Sequence, residues 1–277
     1  MKEKIRKVIN KVLDYLIPPN IKCIYCGEEI DTPNKYHACS RCLKTLPYNN
    51  KKVCKLCGNK IIDEAKICLS CFSSPPPFKI ARAPFLYEPP ISGLIANIKF
   101  DNAKYAVNPL AQFMIDEYLK HNFNCDIIIP VPLSAKRVKT RKYNQAKLFA
   151  DVIGKHFIIP VLDNVVSRSR HTAPQASLAW RARQENMINA FTLTNKSAIK
   201  GKNVLVVDDV FTTGATIKSL CQELKKAKPK NIYVLTLAHT YIHRRKIKKI
   251  KFAKTIKLKI RFLKQKLTFV IAKKSHD

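Results

Sequence analysis

The stretch that decides the fold is NVLVVDDVFTTGATIKSL, residues 203–220. Its four apolar residues, 204–207, are typical of a strand buried in a parallel sheet, and its end is typical of a helix. Between them stand two adjacent aspartates, Asp208 and Asp209, whose burial would be costly unless they had a ligand or partner. The stretch therefore predicts an α/β fold with a functional site at the carboxyl edge of this strand.

Further apolar runs repeat this pattern along the chain. Residues 125–133 and 231–240 are predicted to be buried parallel strands, and residues 140–156 and 213–227 are predicted to be helices. Strands that alternate with helices indicate a parallel sheet flanked by helices. We place this α/β domain over residues 80–240.

The aspartate pair suits one half of a ligand, and the turn after it suits the other half. Neighbouring carboxylates can accept hydrogen bonds from the 2′ and 3′ hydroxyls of a ribose. A glycine lets the backbone approach a ligand closely, and a helix start with threonine hydroxyls attracts a phosphate. An ordinary strand–turn–helix with capping threonines is the alternative. The predicted ribose 5-phosphate ligands are Asp208, Asp209, Thr212, Thr213, Gly214, Ala215 and Thr216.

Eight of the ten cysteines form four Cys-x-x-Cys pairs. Two such knuckles complete a tetrahedral four-sulfur site, so we predict two structural zinc ions in a double zinc ribbon over residues 20–72. Sequential and crossed pairing of the knuckles both remain open, as do an iron–sulfur cluster and a redox dithiol set. Cys125 and Cys221 are predicted core residues. The predicted metal ligands are Cys23, Cys26, Cys39, Cys42, Cys54, Cys57, Cys68 and Cys71.

The charge balance of the 277 residues is strongly basic, with 52 Lys+Arg against 19 Asp+Glu and a formal net charge of +33. Such a field favours polyanionic partners. Residues 241–277 form a basic tail whose apolar residues fit helical and strand periods alike. The tail could bind single-stranded nucleic acid or an anionic membrane surface, or it could be a solvated extension without a partner.

The remaining segments bear on organisation and location. Residues 1–19 have apolar residues at helical spacing and predict an amphipathic helix, docked on the body or lying on a membrane surface. Residues 73–79 predict a proline-rich linker. No apolar run is long enough to span a bilayer, and the first residues do not resemble a secretory signal. We therefore expect a cytoplasmic protein that can associate with a membrane surface.

Two resemblances follow from these motifs. VLVVDDVFTTGAT, residues 204–216, resembles the phosphoribosyl-pyrophosphate signature of type I phosphoribosyltransferases. The order of four knuckles, linker and α/β domain resembles the competence protein F (ComF) family over residues 10–240. RKYNQ, residues 141–145, is similar to that family's Arg-Gly-Phe-Asn-Gln, with Lys142 and Tyr143 at the glycine and phenylalanine positions.

These resemblances imply the type I phosphoribosyltransferase fold, binding of phosphoribosyl pyrophosphate with Mg²⁺, and transferase activity. Arg170 and His171 fall in a basic segment that could close over the diphosphate. The implied catalytic residues are Asp208, Asp209, Arg168 and Arg181, and the implied pyrophosphate loop is Val131, Pro132, Leu133, Lys136 and Arg137.

The ComF resemblance also implies a role in DNA uptake during natural transformation. Its implied partners are single-stranded DNA and the DNA-uptake machinery at the inner face of the membrane. The alternative function is a non-catalytic, single-stranded nucleic-acid-binding protein that retains the fold and the zinc module. No acceptor site for a phosphoribosyl group is readable from the residues.

Overall fold

A five-stranded parallel sheet lies at the centre of the computed structural model. The structure describes residues 22–241 except 51, 62, 63, 102, 134–139, 142 and 169–189. The sheet order is β1–β7–β6–β3, and β2 extends the β1 edge by pairing with β7. The strands of this sheet are β1 (Ile80–Arg82), β2 (Phe85–Leu86), β3 (Ile127–Pro130), β6 (Asn203–Phe211) and β7 (Asn231–His239).

The remaining two strands form a separate antiparallel pair. Six α-helices and two 3₁₀ helices, Lys104–Ala106 and Ser197–Ile199, complete the described elements. The antiparallel strands are β4 (Val166–Arg168) and β5 (Phe191–Leu193). The helices are α1 (Ser40–Thr45), α2 (Leu69–Ser73), α3 (Ile91–Phe100), α4 (Val107–Lys120), α5 (Gln145–Phe157) and α6 (Ala215–Lys225).

The sheet is covered on both faces because successive side chains of a strand point in opposite directions. Leu205 and Val207 of β6 belong to the core cluster that contains α3, α4 and α5. Val204 and Val206 belong to the opposite cluster, which contains α6 and the β4–β5 pair. A strand buried on both faces explains why 204–207 is continuously apolar.

The three predicted strands and two predicted helices are present, with shorter bounds at most ends. Strands β3, β6 and β7 run parallel, as the alternation of strands and helices predicted. The elements β1, β2, the β4–β5 pair and α1 to α4 were not predicted from the sequence. Strands of two or three residues are too short to show a period, so periodicity could not reveal them.

The two zinc-ribbon segments pack at the β1 edge of the sheet, on different neighbours. We call residues 22–46 the first ribbon and residues 53–73 the second ribbon. In the first ribbon, the ring of Tyr36 lies 4.2 Å from that of Phe113 on α4, and its hydroxyl donates to Asp116. The second ribbon pairs with β1, where the Ala81 N–H donates to the Leu56 carbonyl at 2.7 Å.

The predicted linker, 73–79, also contacts the α/β domain. The side chain of Phe78 is buried, and the Lys79 N–H donates to the Ile232 carbonyl at 2.7 Å. All described residues belong to one compact unit that ends at Tyr241. The predicted domain boundaries thus remain predictions, and the predicted helix over 1–19 and tail over 242–277 lie outside the described residues.

None of the helices in the described part of the chain combines the length and apolar character that crossing a bilayer requires.

Candidate functional site

The carboxyl pair lies where β6 runs past the end of its neighbour β3. The last pair of that register joins Pro130 to Val207, and the Val131 N–H then donates to the Val207 carbonyl at 2.9 Å. Asp208 and Asp209 come next and are partly buried. Asp208 Oδ1 accepts a hydrogen bond from the Asp209 N–H at 2.9 Å. The two carboxyl groups therefore sit at the carboxyl edge of the sheet, as the sequence predicted.

Two cations approach this pair from different elements. Lys99, in the last turn of α3, places its Nζ 2.8 Å from Asp209 Oδ2, and both side chains are more than four-fifths buried. Arg168, at the end of β4, lies close enough to Asp208 to lower the pKa of its carboxyl group. The site thus combines two acids with two cations from three different stretches of chain, β6, α3 and β4.

Burial dominates the ionisation of Asp208. Desolvation, followed by the neighbouring Asp209 carboxylate, raises the pKa of Asp208 to about 8. The Asp209 N–H, Lys99 and Arg168 oppose this shift without cancelling it. At neutral pH the pair therefore carries about one negative charge rather than two, because two close carboxylates in a dry site resist double ionisation.

The raised pKa predicts that Asp208→Asn stabilises the protein at alkaline pH. An unfolded aspartate ionises near pH 4, so between about pH 4 and 8 the folded state keeps a proton that the unfolded state has lost. The stability of the native protein therefore falls as pH rises through that window. We expect the variant to be more stable at pH 8 by on the order of 1–3 kcal/mol, with a smaller gain at pH 6. Denaturant titrations at both values measure this gain.

Asp163→Asn is the matched control, because that carboxyl group is half exposed. It should show no comparable pH-dependent gain. An Asp208→Asn gain that stays constant between pH 6 and 8 contradicts a raised Asp208 pKa.

The turn after the acids joins β6 to α6. Gly214 is buried with φ +74°, a conformation that favours glycine, and it stands directly before α6. Thr212, Thr213 and Ala215 are exposed, and the Ala215 N–H lies 3.4 Å from Thr213 Oγ1. The first amides of an 11-residue helix and two exposed hydroxyls thus surround one spot next to the acids. This arrangement can donate several hydrogen bonds to an anion.

The described part of the predicted pyrophosphate loop is anchored to α5. Asn144 caps α5 by accepting from the Ala146 N–H, and its Nδ2 donates to the Val131 carbonyl at 3.0 Å. Pro132 and Leu133 follow and are partly buried. This explains the role of the Asn of RKYNQ: it fixes the start of the loop to the helix behind it.

Five sequence-predicted residues of this region lie outside the described residues. They are Lys136, Arg137, Arg170, His171 and Arg181. The structure thus brings together Asp208, Asp209, Arg168, the 212–216 turn and Val131.

Lys99 is the site residue that sequence reasoning missed. It lies in the last turn of α3, whose buried apolar residues are at 91, 94, 95 and 98, the spacing of an amphipathic helix. That spacing could have revealed the helix. It could not have distinguished Lys99 from the chain's many other lysines, because its role depends on which part of the sheet α3 crosses.

The cysteines form two sets of four, and they pair sequentially. Within each set all four Sγ atoms lie within 4.8 Å of one another. Cys26 and Cys39 Sγ are 3.7 Å apart, and Cys57 and Cys68 Sγ are 3.6 Å apart. A tetrahedral zinc site with Zn–S bonds of about 2.3 Å requires sulfurs about 3.8 Å apart. The two sets therefore fit structural zinc, and crossed pairing is excluded for this structure.

The two ribbons repeat one local design. The first cysteine of each set, Cys23 or Cys54, donates its N–H at 2.7 Å to a carbonyl five residues later. Gly27 and Gly58 follow the knuckles with φ of +80° and +70°. The Glu28 N–H is the main group that lowers the pKa of the Cys26 thiol, to about 7. This favours the thiolate, which is the form that binds metal.

Cys125 and Cys221 are buried in the α/β core, as predicted. Burial raises the pKa of the Cys125 thiol to about 12 and raises that of Cys221 as well. Both are therefore inert core thiols.

Family models match both the α/β domain and the zinc-ribbon segment of the chain. Residues 144–265 match the family model of the phosphoribosyl transferase domain, and residues 12–72 match that of the double zinc ribbon domain. The chain is 33% identical to competence protein F of Haemophilus influenzae over 228 residues, covering 79% of this chain and 97% of that protein.

Two other proteins show the range of similarity. The DNA utilization protein YhgH of Escherichia coli K12 is 30% identical over 207 residues, covering 73% of this chain and 88% of that protein. A solved purine phosphoribosyltransferase from Pyrococcus horikoshii is 19% identical, with a TM-score of 0.28, covering 50% of this chain and 82% of that one.

Proposed function

The chain belongs to the competence protein F family, and on that premise we propose that it binds phosphoribosyl pyrophosphate with Mg²⁺ at the carboxyl edge of β6. The observation that supports this most is the order of groups along one short segment. The turn begins at Thr212, three residues after Asp209, and α6 begins at Ala215, six residues after it. The spacing matches a ribose with a phosphate on its 5-carbon.

Each end of the ligand has its own partners. The carboxyl groups of Asp208 and Asp209 accept from the ribose hydroxyls. The 5-phosphate accepts from the first amides of α6 and from the hydroxyls of Thr212 and Thr213. Lys99, now paired with Asp209, is placed to attract the ligand's negative charge.

The diphosphate end lies toward the loop that begins at Val131. Asn144 fixes that loop, and Arg168 approaches from β4. Carboxylate oxygens are ligands that Mg²⁺ prefers, and Asp208 or Asp209 would hold the ion together with oxygens of the substrate. When bound, Mg²⁺ neutralises charge on the departing pyrophosphate. The basic side chains of this chain would stabilise the same charge if transfer is catalysed.

Calorimetry with phosphoribosyl pyrophosphate, with and without Mg²⁺, tests binding. Release of pyrophosphate in the presence of nucleobases, ammonia or DNA tests transfer. We expect Mg²⁺-dependent binding, and no heat of binding under either condition would reject the proposal. Binding without release in any mixture would favour a non-catalytic protein.

A second function, binding of single-stranded DNA, is supported by a surface beside this site. Phe100 and Tyr105 are 70% and 66% exposed. The guanidinium of Arg141 lies 5.3 Å from the centre of the Phe100 ring, and Lys104 Nζ lies 4.5 Å from that of Tyr143. Cations beside accessible rings suit the backbone and bases of a single strand. This surface would connect the family's relatives named for competence and DNA utilization to the fold of this chain.

We therefore predict that Phe100→Ala with Tyr105→Ala weakens binding of a fluorescent single-stranded oligonucleotide. Loss of stacking costs about 1–3 kcal/mol per base, so a tenfold or greater rise in Kd is expected by anisotropy at fixed salt. Leu119→Ala is the control, because Leu119 is also an exposed apolar residue, on α4. Equal affinity of the double variant and the native protein would argue against this surface.

A further inference from the structure

The turn that follows the acids rests on an aromatic ring. Phe211, the last residue of β6, is buried, and its carbonyl accepts from the Thr240 N–H at 2.9 Å. A Cβ atom added to Gly214 would lie 2.6 Å from Cζ and 2.8 Å from Cε1 of this ring. The backbone of the 212–216 turn is therefore in direct contact with Phe211, and the position of the ring sets the position of the turn.

Two buried rings hold Phe211 from other elements. His239, at the end of β7, stacks on it with ring centres 4.7 Å apart and planes 19° apart. Phe78 meets it edge-on at 6.3 Å and 89°. His239 Nδ1 donates to the Thr240 carbonyl at 2.9 Å, which fixes the plane of its ring. The turn thus rests on a cluster of three rings, in which His239 stacks on Phe211 and Phe78 meets it edge-on.

The second ribbon is built into the same place. Phe78 and Phe211 share a buried cluster with the second tetrad's Cys54, Cys57 and Cys71. The backbone of the Cys54–Cys57 knuckle is bound to β1, because the guanidinium group of Arg82 donates to the backbone carbonyls of Cys54 and Lys55. A side chain at Gly58 would have its Cβ 2.9 Å from the Ala81 carbonyl oxygen, so the knuckle touches the strand directly.

The first ribbon contacts different residues. Its Tyr36 packs on Phe113 and bonds Asp116, both on α4. Tyr48, which follows the ribbon, packs against Phe85 of β2 at 5.4 Å. These contacts lie in the core cluster on the face of the sheet opposite to the cluster of Phe211.

We infer that the second zinc ribbon positions the turn that binds phosphate, through Phe78 and Phe211, whereas the first ribbon does not. Folding of the second ribbon around its metal fixes the position of Phe78. Phe78 and His239 together fix the ring of Phe211, and that ring fixes the turn. Phe78, Phe211 and His239 are positioning residues, since none of them is placed to touch a ligand. The inference rests on the proposed function, because it assumes that the turn binds a phosphate.

Coupling between two sites is reciprocal, so a ligand on the turn must strengthen retention of metal in the second tetrad. The probe is ribose 5-phosphate, which reaches the turn without the pyrophosphate group that would itself chelate zinc. The full-length, zinc-loaded protein is mixed with a chromogenic zinc chelator, and release of the two ions is followed with and without the probe. We expect saturating probe to slow one of two release phases about fivefold or more and to leave the other unchanged.

Variants at the contact of each ribbon with the α/β domain show which of the two zinc ions is released in the slowed phase. Phe78→Leu keeps an apolar side chain and all eight cysteines, and it should retain two zinc ions while losing most of the protection. Tyr36→Leu makes the corresponding change at the first ribbon and should keep the protection. A conservative Phe211→Tyr change is expected to restore most of the effect that Phe211→Leu removes.

The outcomes separate this inference from the proposed function. Binding of ribose 5-phosphate by calorimetry with one protected phase, lost in Phe78→Leu, supports both. Binding with no protection, with equal protection of both phases, or with protection kept in Phe78→Leu overturns the coupling and leaves the proposed function standing. Absence of binding of both ribose 5-phosphate and phosphoribosyl pyrophosphate to the native protein overturns both.

Discussion

Replacing Asp208 and Asp209 together with asparagine is expected to abolish measurable binding of phosphoribosyl pyrophosphate. Each carboxyl group is proposed to accept from a ribose hydroxyl, and hydrogen bonds to charged groups contribute about 1.5–3 kcal/mol each. Loss of both would raise the Kd by a factor of about 10²–10⁴. Titration calorimetry in the presence of Mg²⁺ measures the change. The fold should survive, because asparagine has nearly the same shape and keeps an acceptor oxygen for the Asp209 N–H.

The matched control is Asp151→Asn with Asp163→Asn, which removes two carboxyl groups that pair with Lys147 on the surface. It removes two surface carboxylates and should leave affinity within a factor of two or so. The single variant Asp209→Asn adds information, because it also removes the partner of Lys99. Unchanged affinity in the Asp208/Asp209 double variant would refute the site.

The phosphate-and-ribose half of the site could be predicted because it lies on one continuous segment. The apolar run of β6, the two acids and the glycine-containing turn are adjacent in sequence, so local rules place them. The parallel sheet followed from the alternation of apolar runs and helical stretches. These are properties of neighbouring residues, and they need no knowledge of how distant segments meet.

The rest of the site depends on contacts between residues that are far apart in the sequence. Lys99 precedes Asp209 by more than a hundred residues, and nothing in its neighbourhood marks it. Phe211 and His239 look like ordinary strand residues, and only the register that pairs β6 with β7 places one ring on the other. Phe78 was assigned to a linker because prolines precede it, yet its ring is buried against Phe211. Composition identifies a proline-rich segment but does not show which of its side chains is buried.

The cysteine knuckles could be predicted only in part. Their spacing showed that two four-sulfur sites were to be expected, since each Cys-x-x-Cys pair is local. Which knuckles share an ion was not a local property: sequential pairing was the favoured prediction, and crossed pairing stayed open until the sulfur atoms could be placed. In each set the third cysteine, Cys39 or Cys68, is the N-cap of a short helix, α1 or α2, and that helix contains the fourth cysteine.

Removal of zinc is expected to unfold the first ribbon and to destabilise the whole unit. The buried core of the first ribbon consists of Cys23, Ile30, Ala38, Cys39 and Cys42, so three of its five members are ligands. A core this small does not offset the conformational entropy of the segment without a metal ion. Structural zinc contributes about 10–16 kcal/mol in isolated fingers. Treatment with a strong chelator should therefore lower the Tm sharply, as circular dichroism can measure, and re-addition of zinc should reverse it.

Metal analysis of purified protein gives the quantitative form of this prediction. We expect two zinc ions per native chain and one in Cys42→Ser, which removes a ligand of the first tetrad only. Cys125→Ala is the control, because Cys125 is buried in the α/β core away from both tetrads, and it should retain two. Iron in place of zinc would refute structural zinc, and two ions in Cys42→Ser would refute the sequential four-sulfur site. Because the ligands are themselves the core of this ribbon, loss of one thiolate removes both a metal contact and the side chain that packs around it.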